Sequence, residues 1–568
     1  MRIVLAAAFA WFVVACGPGG RDHGPCDPNT MQCIGNELEM CVDGNFQDSQ
    51  MCPDACSATL GCVLCVPNSA TCSGNNAHEC NENGTGFTDE VCDPVQGETC
   101  DPTMGCTGPC ALKTLQQSYI GCDYYPTVTG NIVGDAFDYA VAISNASASV
   151  ATITIDGGAL TTPMTVMVQP NSLLVQKLPW QQALKMCNEQ DTPEVAGCNG
   201  AAVPEPGIVA KGAYHLRSDQ PITVYQFNSL EYSTLINGVT AFSFTNDASL
   251  MLPTNVWRSS YFTASWPSLS ASGYPSEVAV TAAHDGTMVT INSRAATAAA
   301  TGISAFVPGT PQTIMLNAGD VVELTSLGGD FTGTKVDSTL PVAVIGAHFC
   351  ADVTEAQAAC DHLEESMFGV DTLSAQYVVN APAVTTIPNG KVEVIRVVAT
   401  QGGTTLTYNP PQPGAPTTIA NAGDFIEIAD NANSFLLTAS AKVLVAQYME
   451  GQTAGGDQGD PAMTLAVPVE QFRSSYMFHA PTTYTSNYVD ITAPAGASVS
   501  LDGTAVTLTP IGTTGFQLGR VTGLSAGPAN DGNHSITGTA PFGITVYGYG
   551  QYTSYWYPGG LNLTSVID

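Results

Sequence analysis

Positive charge is what this 568-residue chain has least of: 15 Lys and Arg stand against 49 Asp and Glu, for a formal net charge of −34, and only 11% of residues are charged at all. A surface without clustered cations cannot neutralise phosphate, which excludes nucleic acid and anionic membrane faces as partners. Long apolar runs are also missing; the first, Ile3 to Val14, falls short of a comfortable membrane span. Helical periodicity is nearly absent. So are the motifs that would announce chemistry: there is no His-Glu-x-x-His, no Gly-x-Ser-x-Gly and no Gly-rich phosphate loop with Lys, and the eight histidines are scattered. The sequence therefore implies no catalytic residue, no cofactor and no metal. With 44% hydrophobic residues it is nonetheless no disordered acidic tail, and its length calls for several domains.

The first residues read as an export signal. Met1-Arg2 and the apolar run form a signal peptide over 1–15, and Val13-Val14-Ala15-Cys16 resembles a bacterial lipobox, which predicts lipidation of Cys16 and a tether over 16–25. Cysteine parity agrees, because 19 cysteines less Cys16 leave 18, which can pair completely. Two or three acyl chains hold a protein to a membrane durably. The expected location is the outer membrane, lipid-anchored, surface-exposed or periplasmic, since Gly17 carries no retention signal by resemblance to bacterial lipoproteins.

Twelve cysteines then fall into two copies of one spacing, 26–62 (Cys26, Cys33, Cys41, Cys52, Cys56, Cys62) and 65–106 (Cys65, Cys72, Cys80, Cys92, Cys100, Cys106). Units this small need staples, so three disulfides per copy are expected, confined to each copy, in an order that spacing alone leaves open. Cys62-Val63-Leu64-Cys65 has the spacing of a zinc knuckle, but it straddles the copies and is not repeated within them. Turns at Gly35-Asn36 and Gly74-Asn75 predict hairpins. The segment reads as a disulfide-rich stalk.

Beyond Cys110 the texture is alternating Val, Ile, Thr, Tyr and Phe broken by Asn, Gly, Asp and Pro, the pattern of an all-β protein. It repeats. Leu250-Met251-Leu252-Pro253 with Trp257-Arg258-Ser259-Ser260-Tyr261 returns as Leu465-Ala466-Val467-Pro468 with Phe472-Arg473-Ser474-Ser475-Tyr476; Asn317-Ala318-Gly319-Asp320 returns as Asn421-Ala422-Gly423-Asp424. Pro221-Ile222, Pro341-Val342, Lys442-Val443 and Pro541-Phe542 open a strand near each module's end. Four modules result, 110–247, 248–365, 366–460 and 461–568, each with the strand count of a sandwich. The predicted architecture is tandem β-sandwich-like modules, with a β-propeller as the alternative.

At these residues a family resemblance becomes specific. Arg396-Val397-Val398-Ala399-Thr400, Gly459-Asp460-Pro461-Ala462-Met463-Thr464, Phe472-Arg473-Ser474-Ser475-Tyr476 and Gly543-Ile544-Thr545-Val546-Tyr547-Gly548-Tyr549-Gly550 resemble the amino-terminal domain of the IgG Fc-binding protein family, over roughly residues 115 to 560. The resemblance implies an extracellular binding or adhesion domain without known chemistry, of the kind carried by myxobacterial-type surface lipoproteins. The expected partner is an extracellular protein or glycan, beside the membrane itself through the anchor; the alternative function is a surface hydrolase of polysaccharide or peptide with no readable motif.

Several residues stand out as site candidates. Two insertions carry close cysteine pairs, Cys187 with Cys198 and Cys350 with Cys360, and Cys110 with Cys122 forms a third local pair. Pinned loops commonly present binding residues. Asp352, Glu355, Asp361, Glu364 and Glu365 near His348 and His362 could face a cation or a basic partner, and Asp457 with Asp460 resembles a fragment of a calcium loop. The chain ends in Tyr547, Tyr549, Tyr552, Tyr555, Trp556 and Tyr557, which suit stacking on a ligand or filling a core. Arg258 and Arg473, repeated at one place in two modules, predict partners within the fold.

Overall fold

A computed structural model describes residues 25–186, 207–354, 356–357, 359–384 and 391–566. Cys16, Glu355 and the Cys187–Cys198 pair lie outside the described residues. The chain divides into two compact units, the first formed by the cysteine-rich repeats and the second by Gly108 onward with Val95–Glu98.

In the first unit each repeat is a three-stranded antiparallel sheet followed by a two-stranded hairpin. The hairpins turn at Gly35 and Gly74, both with positive φ. Disulfides join Cys26–Cys41, Cys33–Cys56 and Cys52–Cys62 in one repeat, and Cys65–Cys80, Cys72–Cys100 and Cys92–Cys106 in the other. The order is the same, first to third, second to fifth and fourth to sixth. Cys62 and Cys65 are thus each consumed in a disulfide, and the zinc spacing between them holds no thiolate pair.

The second unit is all-β apart from short helical turns, and its strands form four copies of one topology. A long strand organises each copy: Tyr214–Asn228, Lys335–Ala351, Ser434–Met449 and Asn533–Gly550. Its first half pairs with the module's opening and third strands, and its second half with the second and final strands. One strand therefore serves two half-sheets, and the module curls about it as strands do when they switch sheets at a bend. Third strands such as Thr287–Asn292 alternate buried and exposed, with one face in solvent, whereas second strands such as Ser276–Ala282 are buried on both faces.

The bend has a repeated cause. In every module the register between opening and long strand jumps, two residues on one side against five on the other: Gly121↔Ile222 is followed by Asp123↔Arg217, Arg258↔Val342 by Ser260↔Asp337, Ser374↔Val443 by Gln376↔Thr438, and Arg473↔Phe542 by Ser475↔Thr537. A buried tyrosine pins each jump. The Tyr261 hydroxyl accepts the Arg258 N–H at 2.7 Å and donates to the Val342 carbonyl at 2.8 Å. Tyr124 does the same with Gly121 and Ile222, Tyr377 with Ser374 and Val443, and Tyr476 with Arg473 and Phe542. Without these bonds, a carbonyl and an N–H would be buried unpaired at each corner.

The four copies are not separate beads. Their final strands, Asp247–Met251, Asp361–Ser366, Met463–Leu465 and Thr553–Pro558, pack in a closed ring, first on second, second on third, third on fourth and fourth on first. The modules thus run round an axis, as propeller blades do, while each is folded as a curled pair of half-sheets. Asp247 ties the ring together. Its carboxylate accepts the N–H groups of Ala248 and Trp556 on one oxygen, at 2.9 and 3.0 Å, and those of Glu364 and Met463 on the other, at 3.1 and 3.0 Å, so that one side chain holds all four final strands. Burial pushes this carboxyl well above the usual range, against the pull of those four donors.

Past the last strand, residues 559–566 run across the ring at the end where the final strands finish. Leu561 and Leu563 bond to Tyr119 and Gln117 of the first module, Leu563 accepts from Arg258 of the second, Val566 bonds to Asp371 and Lys442 of the third, and Asn562 bonds to Gln471 and Arg473 of the fourth. Arg258 also bonds Asp371. The repeated arginines thus find their partners within the fold, in this segment.

Candidate binding face

Final strands all start at the same end of the ring, so the four connections leading into them converge there. In the first module this connection, 229–246, carries a hairpin, Ser233–Ile236 with Val239–Phe242. In the second it is the loop closed by the Cys350–Cys360 disulfide. The third is the loop between Met449 and Met463, and the fourth is the turn at Gln551-Tyr552.

Hydrogen bonds fuse the four into one surface. Gly451 donates to Val353 at 2.7 Å and the Ala359 N–H to Asp460 at 3.0 Å, joining second and third. The Tyr552 N–H reaches Gln452 at 3.0 Å, joining third and fourth, and Thr553 donates to Asn246 at 3.0 Å, joining fourth and first. Phe244 meets Tyr552 edge to face, ring centres 6.0 Å apart.

This face exposes apolar groups that a buried core would normally take. Leu235 is 70% exposed, Val239 53%, Phe244 44%, and Phe242 and Tyr552 40% each. Beneath them, Lys391 is fully buried, its ammonium donating to the carbonyls of Gln458 at 3.1 Å and Asp460 at 3.3 Å and lying 5.2 Å from the Tyr549 ring centre. Burial holds it down to about 8, despite the nearby carboxylates of Asp460, Asp361 and Glu450. Exposed apolar and aromatic groups on connections joined in this way make this end of the ring a candidate contact surface.

Several expectations are corrected by this geometry. The acids of the second insertion turn inward. Asp361 accepts from Asn246, Thr553 and Ser554, Glu364 from Thr129, Gln226 and Asn228, and Glu365 from Ser249 and Leu250, so they hold the ring and offer nothing to a cation or a basic partner. His348 accepts the Cys350 N–H and its other nitrogen meets the Pro267 carbonyl; burial lowers it to about 3. Asp460 accepts from Ala359 and Gln452 rather than joining Asp457 in a calcium loop. Of the terminal aromatics, Tyr547, Tyr549 and Trp556 are buried on one face of the sheet and Tyr555 and Tyr557 on the other, because both faces of this strand pair are covered. Tyr552 alone of the six reaches solvent, on the binding face. Cys110–Cys122 and Cys350–Cys360 are bonded.

Among the described residues the metal-ligating types converge at Glu79, Glu90 and Cys106, where the sulfur is already bonded to Cys92. Among the same residues the hydroxyl within hydrogen-bond distance of a histidine nitrogen is that of Thr129, buried and donating to Glu364. The hairpin bearing Leu235, Val239 and Phe242 escaped the sequence reading, because its alternation looks like one more sheet strand. The usable signal is position: it occupies the same interval of the repeat as the cysteine-closed loop.

Fold and face together define a disulfide-stapled, all-β binding scaffold built of four modules on one axis. A family model for IgGFc binding protein matches residues 247–548, more than half of the chain, and the protein belongs to that family. The match opens on Asp247, at the ring's centre. The human IgGFc-binding protein is 26% identical over 251 residues, an alignment taking in 44% of this chain and 4% of the human protein. The chain therefore spans a small part of that relative's length.

Proposed function

We propose that the protein captures a protein partner on the face where the four connections meet. The observation that carries this reading is the exposure of Leu235 and Phe242 on one face of the hairpin, and of the Phe244–Tyr552 pair, on connections that hydrogen bonds join. The family supports a binding rather than a catalytic role, and the human relative's name makes immunoglobulin Fc the first probe. In this reading Cys16 is acylated, the chain stands at the outer membrane, and capture serves adhesion. Surface plasmon resonance of the full chain against Fc and a panel of extracellular proteins, beside a Leu235→Asp/Phe242→Ser variant, tests the face. Capture should fall at least about tenfold. A partner held equally by both proteins places binding elsewhere. Fatty-acid labelling in a bacterial host tests the anchor, and equal labelling of wild type and Cys16→Ser refutes it.

A further inference from the structure

The fourth module contains a cleft of about 440 Å³ that the binding face does not include. Its walls are the hairpin of Val499–Leu501 with Thr504–Ala505 and the end of the strand Phe516–Thr522. That volume is within the range of small-molecule sites.

His534, at the start of the long strand, belongs to the wall of this cleft and of a second one of about 200 Å³. The residue is 3% exposed and its ring stacks on Phe478, centres 5.2 Å apart. Nδ1 lies 2.7 Å from one oxygen of Asp502, whose other oxygen accepts the Ser535 N–H at 2.9 Å. A carboxylate only accepts, so Nδ1 carries a proton directed at Asp502. Nε2 is buried and has no partner. A buried polar atom left unmatched is costly, and a hydroxyl supplied from the cleft, which can both donate and accept, would relieve it.

The charged side chains of the cleft wall already have partners within the fold. Asp502 is spent on His534, and Arg520 pairs with Asp490 at 3.3 Å. What remains on offer is neutral: the Thr504, Thr507 and Thr522 hydroxyls, which make no hydrogen bond among the described residues, beside the apolar Leu501 and Val506. A ligand matching this lining is uncharged, rich in hydroxyls and has an apolar side, which is the chemistry of a neutral sugar ring. We propose that the cleft of the fourth module binds a neutral monosaccharide unit, one hydroxyl of which hydrogen-bonds to His534 Nε2. The site does not depend on the protein-binding face.

Saturation-transfer NMR on the full chain with free glucose, galactose and N-acetylglucosamine tests this. At least one sugar should bind saturably, with little change between low and high salt, because no charge pairing is involved. His534→Phe should weaken it by about tenfold, the worth of one hydrogen bond. Ala505→Trp, at an exposed position on the cleft wall, should abolish binding without altering the melting temperature, which guards against a folding defect in the histidine variant. Tyr552→Ala should leave sugar binding untouched. If none of the three sugars binds, or binding survives both cleft substitutions, the site holds only water.

Discussion

A hydroxyl decides each corner of the modules. Replacing Tyr124, Tyr261, Tyr377 or Tyr476 by Phe leaves a buried carbonyl and N–H without partners, and each change should cost about 1–3 kcal/mol in denaturant melts of the full chain. Truncation to Ala should cost about 3–5 kcal/mol, since the ring is lost as well. Similar costs at all four sites are expected of equivalent positions; one site costing nothing would show that its corner is held by other means. Asp247→Asn is a sharper test, because the amide nitrogen would face two N–H donors, and a loss of about 2–4 kcal/mol should follow. Glu393 makes a pH prediction. Burial, only partly offset by Gln447 and Asn431, raises its carboxyl from 4.5 to about 8, so the folded state keeps a proton the unfolded chain has lost. Stability is then present in full below the ordinary value and lost as pH rises through the folded one. Between about pH 6.5 and pH 8, Glu393→Gln should remove roughly 1–2 kcal/mol of that decline. An unchanged slope would mean that Glu393 is ionised in the native protein.

Turns that look alike in the sequence turn out to be where neighbouring modules touch. Asn317-Ala318-Gly319-Asp320 of the second module meets the first, with the Gly319 carbonyl accepting from Ala213 and the Asp320 carboxylate accepting the Lys211 N–H. Asn421-Ala422-Gly423-Asp424 of the third meets the second, where Gly423 lies against Gly333 and Arg294 grips Gly423 and Asp424. Gly423 has φ +78 and a Cβ there would stand 2.8 Å from the Gly333 carbonyl, so Gly423→Ala should destabilise by more than about 1 kcal/mol. Arg396, 2% exposed, reaches from the third module to Ser265, Asp330 and Thr332 of the second and lies over Trp266. Arg396→Met should cost about 3–5 kcal/mol by stranding those acceptors. The repeats made the strand pattern and the tyrosines legible, because period two and identical spacing survive in a linear reading. The use of the same turns as joints was not, since Gly423 and Gly333 come together only after two modules have folded. Glu364 and Asp361 misled for the same reason: the donors that satisfy them, side chains for Glu364 and mostly backbone for Asp361, belong to other modules.

At the scale of the whole ring, the modules depend on one another, and residues 559–566 touch all four. Ending the chain at Pro558 should lower the melting temperature and open the first module to protease before the others; a truncated chain that melts as the full one does would show that the ring holds without its terminal segment. The same segment also sets an order of events. Leu561 and Leu563 pair with Tyr119 and Gln117, so residues made after all four modules complete contacts with some of the earliest in the unit. Contacts this distant in sequence are slow to form. A chain emerging from its amino terminus must wait with the first module's seat empty until residues 559–566 arrive, and only then can the circle lock.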